Sequence, residues 1–179
     1  DTIPQGRLGI IAMRGCEELA KKVSDQILEC RAKFHQDDDN LHLKGYHRDS
    51  YILDATFPRF STGEGKGVIN ESIRGYDLFI ISDCFNYSVT YKMYNLKDAD
   101  GNPLQVPMSP DDHFQDLKRV IAALGGKARR ITVIMPMLYE GRQHRRTARE
   151  SMDCAMALQE LVAIGVKNII TFDAHDPRV

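Results

Sequence analysis

Four arginines follow a short apolar run in the stretch MPMLYEGRQHRRTARES, residues 135–151. A guanidinium group presents planar donors that match phosphate oxygens two at a time, and a helix beginning after them would add oriented N–H groups. This combination suits a polyphosphate, although a solvated face balanced by nearby glutamates is the more common arrangement of an arginine cluster. The candidate phosphate ligands are Arg142, Arg145, Arg146 and Arg149, with Gln143 and His144 beside them.

The overall charge limits what these arginines can bind. The chain has 24 basic and 25 acidic side chains and a formal net charge of −1. Nucleic acids and anionic membranes usually attract proteins through a large positive excess, which this composition lacks. The cluster also lacks the interleaved aromatic residues of single-strand binders. We therefore expect a local basic site, with neither nucleic acid nor membrane as a partner.

A second candidate site is the sequence DAHD at the end of the last apolar run. Side chains alternate along an extended chain, so Asp173 and His175 are expected to point to the same side of a buried strand. A carboxylate beside an imidazole can form part of the shell of Mg²⁺ or of its bound waters, although histidine is not a usual magnesium ligand. The alternative, an aspartate that orients a histidine capping the sheet end, stays open.

The turn RFSTGEG carries a third candidate set. An exposed Phe60 could stack on a base, and Glu64 could accept a hydrogen bond from an exocyclic amine. A plain hairpin turn is the alternative interpretation. The three aspartates at 37–39, with histidines at 35, 42 and 47, indicate a solvated loop rather than a metal site, because nothing fixes the ligand spacing.

The cysteines and the apolar runs bear on the compartment. Cys16, Cys30, Cys84 and Cys154 are scattered without a CxxC pair, so reduced and mostly buried thiols are expected. No stretch reaches the apolar length of a membrane span, and the first residues lack the apolar core of a secretory signal. These features predict a soluble cytoplasmic protein.

Apolar runs of strand length alternate with segments of helical spacing. RLGIIAM, YDLFIISD, RRITVIMP and KNIITFDAH are predicted strands. Helices are predicted after residue 15, from the N-cap Ser109 to a stop at Gly125 or Gly126, and over residues 150–164. This alternation predicts one α/β domain with a parallel, doubly wound sheet. Ligands of such sheets bind beyond the carboxyl ends of the strands, where the arginine stretch and DAHD both lie.

Residues 84–108 interrupt this alternation. YSVTYKMY alternates like a strand, and the Asp-Gly turn signal in DADGNP would fold LQVPM back onto it as a hairpin. We interpret this region as an insertion on the core fold.

Three segments in order, RFSTGEGKGVINESIRGYDLFIIS, DLKRVIAALGGKARRITVIMPMLYEGRQHRR and GVKNIITFDAH, closely resemble the N-terminal half of ribose-phosphate pyrophosphokinase, also called phosphoribosyl pyrophosphate synthetase. The resemblance covers most of residues 8–176 and is interrupted by insertions at about 35–50 and 87–110. It implies a phosphoribosyltransferase-like, three-layer α/β/α fold for a single domain over residues 1–179.

The resemblance also implies a function. The family uses Mg²⁺ and makes phosphoribosyl pyrophosphate and AMP from ATP and ribose 5-phosphate. Arg142 and Gln143 match a pair that contacts ATP, and His175 matches a histidine near the nucleotide phosphates and Mg²⁺. Phe60 and Glu64 match a turn that reaches the adenine of ATP bound by a neighbouring subunit. A homo-oligomer with shared active sites is therefore expected, and its arginines would face the polyphosphate.

Two departures and one absence qualify this expectation. His144 stands where the family commonly has an acidic residue, and Thr62 where it has Asp or Asn. The family's ribose 5-phosphate loop and its mobile loop with a catalytic lysine do not occur within residues 1–179. We expect this chain alone to be inactive, as the nucleotide-binding half of a diphosphokinase or, alternatively, as a non-catalytic regulatory subunit that joins true synthetases.

Overall fold

The computed structural model of the protein describes residues 5–34 and 48–176, and these contain eight strands and three helices. The predicted excursion at 35–50, with its aspartates and histidines, lies outside the described residues up to position 47. In chain order the elements are β1 (Arg7–Ala12), α1 (Glu17–Phe34), β2 (Ala55–Thr56), β3 (Val68–Ile69), β4 (Tyr76–Ile81), β5 (Thr90–Lys97), β6 (Pro103–Pro107), α2 (Pro110–Ala123), β7 (Arg130–Ile134), α3 (Asp153–Ala163) and β8 (Asn168–Ile170).

The central sheet has four parallel strands in the order β1-β4-β7-β8. On the free side of β1, Ile10 donates its N–H to Tyr51 O and accepts from Leu53 N, both at 2.8 Å. Residues 51–53 therefore run along the outer edge of β1, and the chain then crosses to the other side of β1 to form β4. This arrangement confirms the predicted parallel α/β sheet.

Successive side chains of the strands point to opposite faces of the sheet and pack into two hydrophobic cores, one on each face. Ile10 and Ile81 pack with Ala20 of α1 in one cluster. Their neighbours Ile11 and Ile80 join the larger cluster on the opposite face, to which both α2 and α3 contribute. Because both faces are covered by helices, the strands can be apolar throughout, and the three-layer prediction is confirmed.

Helix α2 begins where its sequence signals predict. Ser109 is the N-cap: its hydroxyl accepts from Asp112 N at 3.1 Å, while the Asp112 carboxylate accepts from Ser109 N at 3.0 Å. This reciprocal capping box typically contributes about 1 kcal/mol relative to alanine at the cap. The helix ends at Ala123, and Gly125 follows with a positive φ of 53°.

Two short hairpins lie outside the main sheet. Strands β2 and β3 pair antiparallel, and a bridge between Arg59 and Gly65 extends them toward the turn that carries Phe60. Strands β5 and β6 form the second hairpin, closed by a turn in which the Asp98 carboxylate accepts from Asn102 N at 2.8 Å. This second hairpin confirms the one predicted within residues 84–108.

The last helix and strand differ from their predictions. Helix α3 begins at Asp153 instead of residue 150. Strand β8 has three residues and, among the described strands, pairs with β7 alone at the edge of the sheet; Ile170 is 40% exposed. The prediction of a buried final strand was wrong, because β8 lies at the edge of the sheet and its residues Asn168 and Ile170 are exposed. Within the described part of the chain, no helix is both long and apolar enough to span a membrane.

Candidate functional site

A cavity of about 630 Å³ lies where the carboxyl ends of β4, β7 and β8 meet. Parallel α/β sheets bind their ligands at this edge, because loops from neighbouring strands converge there. The residues that line it are Phe85, Tyr87, Pro110, Asp111, Met137, Leu138, Tyr139, Glu140, Gly141, Arg142, Asp173, Ala174 and His175.

Three of the predicted site residues share this cavity: Arg142, Asp173 and His175. The ladder between β7 and β8 continues beyond the strands through a bridge of Met137 with Asp173, and Leu138 N donates to Asp173 O at 3.1 Å. This extension brings Asp173 to the cavity although β8 ends three residues earlier. Asp173 is therefore positioned by the Met137–Asp173 bridge beyond the end of β8, and not by a long buried strand.

The loop that carries Arg142 is fixed by its own neighbours. The His144 ring contacts Gly141 O through Nδ1 at 3.1 Å and the Asp176 carboxylate through Nε2 at 3.3 Å. The side-chain amide of Gln143 donates to Ser151 O at 3.0 Å, so Gln143 folds the loop and does not line the cavity.

Arg145 and Arg146 lie away from the cavity wall. Arg145 approaches the Asp176 carboxylate at 3.6 Å, and Arg146 is exposed; neither lines the cavity. Among the described residues, α3 contributes none to the lining, so the helix N–H donors expected beside Arg142 are not at this wall. The backbone N–H of Cys154, in the first turn of α3, instead lies 3.4 Å from Gln143 O.

One wall joins the start of α2 to the loop after β7. The Tyr139 ring stacks on Phe114 with centroids 4.2 Å apart, and its hydroxyl donates to Asp111 at 2.7 Å. Burial and then the Asp111 carboxylate raise the pKa of Tyr139, so its hydroxyl stays protonated near neutral pH. Neither Asp111 nor Tyr139 was a candidate site residue in the sequence analysis.

Glu140 forms part of the same wall in an unusual backbone conformation. It has a φ of 55°, the left-handed region that residues other than glycine rarely adopt. Burial and the nearby carboxylates of Asp153 and Asp111 raise its pKa. The sequence offered no signal for this strain, which costs of the order of 1–2 kcal/mol at a residue with a Cβ.

Another part of the cavity lining is aromatic and follows β4. Tyr87 is 59% exposed at the cavity and Phe85 is partly buried there. Between them, Asn86 O lies 2.9 Å from Nε2 of the buried His113 of α2, and the Asn86 amide lies 3.4 Å from Gly15 O. Phe85 and Tyr87 are held at the rim by these contacts, and sequence analysis had read this segment only as part of an insertion.

The remaining candidates, Phe60 and Glu64, do not line the cavity. They face each other across the β2–β3 turn, where Phe60 N donates to Glu64 O at 2.7 Å. Phe60 is 55% exposed, and the Glu64 carboxylate accepts from the hydroxyl of Thr62 at 2.9 Å. Both side chains are therefore available to a molecule outside this chain's own cavity.

The metal ligands predicted from the sequence form an incomplete set. Across residues 5–34 and 48–176, no group of three or more His, Cys, Asp or Glu side chains is arranged to hold an ion. Asp173 and His175 share the cavity, but a magnesium ion there would need phosphate oxygens and waters to complete its octahedral shell. Asp173 and His175 would supply only part of such a shell.

The comparisons with known proteins identify the family of the chain. The family model for the N-terminal domain of ribose phosphate pyrophosphokinase matches residues 8–165. The chain belongs to this family. A ribose-phosphate pyrophosphokinase of Pasteurella multocida is 31% identical over 130 residues, which are 70% of this chain and 34% of that protein.

Two further relatives extend the comparison. Ribose-phosphate pyrophosphokinase 1 of Schizosaccharomyces pombe is 29% identical over 137 residues, 75% of this chain and 28% of that protein. The crystal structure of phosphoribosylpyrophosphate synthetase from Mycobacterium smegmatis superposes with a TM-score of 0.63 at 22% identity, covering 96% of this chain and 44% of the other. This likeness supports the fold.

The share of each relative's length that the chain covers decides which of the relative's properties can be compared with it. The chain spans about a third of the length of the curated pyrophosphokinases it matches. Membership of the family is therefore established for the N-terminal pyrophosphokinase domain. Activity, substrates and assembly belong to whole proteins of this kind.

Proposed function

We propose that this chain is the nucleotide-binding half of a ribose-phosphate diphosphokinase and that it binds ATP with Mg²⁺ in the cavity of Arg142 and His175. The observation that carries the proposal is the convergence of these two side chains, from the loops after β7 and β8, on one cavity of about 630 Å³. A cavity of this size is in the range for a nucleotide-sized ligand. Family membership supplies the reaction, in which a diphosphoryl group passes from ATP to ribose 5-phosphate with release of AMP.

The charge of the cavity favours a nucleotide that carries a divalent cation. Among the described residues that line the cavity there is one arginine, Arg142, and there are three carboxylates, those of Asp111, Glu140 and Asp173. A bare triphosphate would be repelled by this excess of negative charge, so we infer that Mg²⁺ accompanies it. Asp173 and His175 would help to hold the ion, whose positive charge would offset that of the phosphate oxygens.

In the proposed reaction the residues of this chain work by positioning and by charge. Arg142 would donate bidentate hydrogen bonds to phosphate oxygens whose negative charge grows as the ribose hydroxyl attacks. His175 would hold the other side of the phosphate chain through a ring nitrogen. The ribose 5-phosphate site and the catalytic lysine would come from the second half of a complete synthetase, so this chain alone is expected to give no turnover.

Phe60 and Glu64 are proposed to act in a neighbouring subunit. They lie outside their own chain's cavity, and Phe60 exposes an apolar ring that could stack on a base. We therefore propose a homo-oligomer with shared sites, acting in the cytoplasm without nucleic acid or membrane. Gln143, Arg145 and Arg146 would have supporting roles in the loop around Arg142.

The test is isothermal titration of the assembled protein with Mg-ATP. Arg142→Ala should weaken binding at least about 10-fold, since a hydrogen bond to a charged group contributes about 1.5–3 kcal/mol. Arg149→Ala is the matched control, because Arg149 is an exposed arginine of the same loop that does not line the cavity. Equal affinities for the two variants, or no binding by the parent protein, would refute the proposal.

The second candidate function is that of a non-catalytic subunit that modulates true synthetases. The observation that favours it is His144, which stands where the family commonly has an acidic residue and is engaged with Asp176 instead of facing the cavity. Mixing the protein with an active synthetase, and measuring assembled mass and rate, separates the two. Absence of co-assembly removes this second function.

A further inference from the structure

Arg59 lies buried at the base of the β2–β3 turn, with 6% of its side chain exposed. One terminal nitrogen donates to the carboxylate of Asp116 in α2 at 2.7 Å, and the other donates to Gly63 O at 2.9 Å. The first contact ties the turn to α2, and the second spans the turn from one side to the other. Arg59 thus links the backbone that presents Phe60 and Glu64 to a rigid helix.

The second hairpin covers the other face of this guanidinium. The Arg59 side chain lies over the ring of Tyr91 in β5, 4.8 Å from its centroid. At the tip of the turn, Gly63 has a φ of 92°, and a Cβ added there would lie 3.3 Å from the Tyr91 ring and 3.4 Å from the Met93 methyl group. The turn is therefore packed directly against β5.

The arrangement is an expensive one for stability alone. Both Arg59 and Asp116 are almost fully buried, and Arg59 Nε has no hydrogen-bond partner among the described residues. Burying such a pair costs desolvation that apolar residues of similar size would avoid. Arg119 adds a second hydrogen bond to Asp116 at 2.8 Å. A charged cluster of this kind fixes relative positions through directional hydrogen bonds, which apolar packing does not.

We propose that the β5–β6 hairpin is a brace that positions the Phe60–Glu64 turn for recognition of the nucleotide base, with Tyr91 and Arg59 as its positioning residues. This inference rests on the proposed function, in which that turn contacts the base. It assigns a role to the insertion after β4. It also separates two tasks, since the phosphates remain with Arg142 and His175.

The experiment compares two ligands on the assembled full-length protein, Mg-ATP and Mg-tripolyphosphate, which shares the phosphates but has no base. Tyr91→Ala should weaken ATP binding about 5-fold, since it removes a partly desolvated cation–π contact. It should leave tripolyphosphate affinity unchanged. Tyr91→Phe, which keeps the ring, should bind both ligands like the parent protein. Tyr94→Ala is the matched control, because Tyr94 is an exposed tyrosine of the same strand.

Each outcome decides between the alternatives. Unchanged ATP affinity in Tyr91→Ala, or an equal loss for both ligands, overturns the brace. If Tyr91→Ala does not fold, Tyr91→Leu carries the same expectation, because it keeps apolar packing and lacks the aromatic face. A parent protein that binds neither ligand refutes the proposed function, and the brace with it. A parent that binds both ligands, with no effect of Tyr91, refutes the brace alone.

Discussion

The imidazole rings of His144 and His175 lie with their centroids 5.6 Å apart and their planes tilted by 41°. The first ring belongs to the loop after β7 and the second to the segment after β8. His144 also contacts the Asp176 carboxylate, one residue beyond His175. The two segments that supply Arg142 and His175 are therefore in contact with each other.

Removing the His144 ring should weaken nucleotide binding although His144 does not line the cavity. His144→Ala loses the contacts with Gly141 O and Asp176, which hold the Arg142 loop. We expect Mg-ATP affinity to fall about 2- to 10-fold, the equivalent of one or two net hydrogen bonds. Titration calorimetry measures this, with Thr147→Ala as the control from the same exposed loop. Parent-like affinity would show that the loop holds its position without His144.

The aromatic rim should contribute to nucleotide affinity in the chain's own cavity. Tyr87 is presented there by the contacts of Asn86 with His113 and Gly15. A base or ribose stacked on the exposed ring would make Tyr87→Ala bind Mg-ATP more weakly, by roughly 1 kcal/mol, which is about 5-fold. Tyr87→Phe should bind like the parent protein. Equal losses in both variants would assign the effect to the hydroxyl rather than to stacking.

The backbone strain at Glu140 makes a prediction about stability. Glycine adopts a φ of 55° without a steric penalty, and it also removes a carboxylate that faces Asp153 and Asp111. Glu140→Gly should raise the free energy of unfolding by about 1 kcal/mol. Glu140→Gln keeps the strain and removes only the charge. Its free energy of unfolding, measured by urea denaturation, should therefore rise by less than that of Glu140→Gly. A glutamine variant at least as stable as the glycine variant would contradict the strain argument.

Much of the fold could be predicted because its signals are local. Helix α2 has its capping box within four residues of sequence, from Ser109 to Asp112. Strand β4 ends in the continuous apolar run of residues 78–81, which is what burial on both faces requires. Strand β8 ends in two isoleucines and is nevertheless an exposed edge strand. Only the order of strands in the sheet distinguishes the two, and that order is not a local property.

The residues of the candidate site likewise fall into those that the sequence predicted and those that it did not. Arg142, Asp173 and His175 could be expected to meet because each follows the carboxyl end of a parallel strand. Tyr139 and Asp111 were missed because they meet only when the start of α2 packs on the loop after β7. The chain alone does not reveal that contact, which joins positions 28 residues apart.

The buried thiols of Cys16 and Cys84 predict how stability depends on pH. Burial raises the pKa of Cys16 to about 11 and that of Cys84 to about 12, from an ordinary value of 9.0. Both thiols are protonated below pH 9 in the folded and unfolded states alike. As the pH rises above 9, the unfolded chain loses these protons first, so the folded state binds more protons and its stability falls.

Urea denaturation at pH 8, 9 and 10 measures this dependence. We expect the free energy of unfolding to fall by up to about 2 kcal/mol between pH 9 and 10 for the two thiols together. The double variant Cys16→Ala/Cys84→Ala will start from a lower stability, because it leaves cavities. Its decline between pH 9 and 10 should be shallower, since of the thiols with a raised pKa only Cys154 then remains, beside Tyr139. A slope equal to that of the parent protein would mean that other groups cause the alkaline loss.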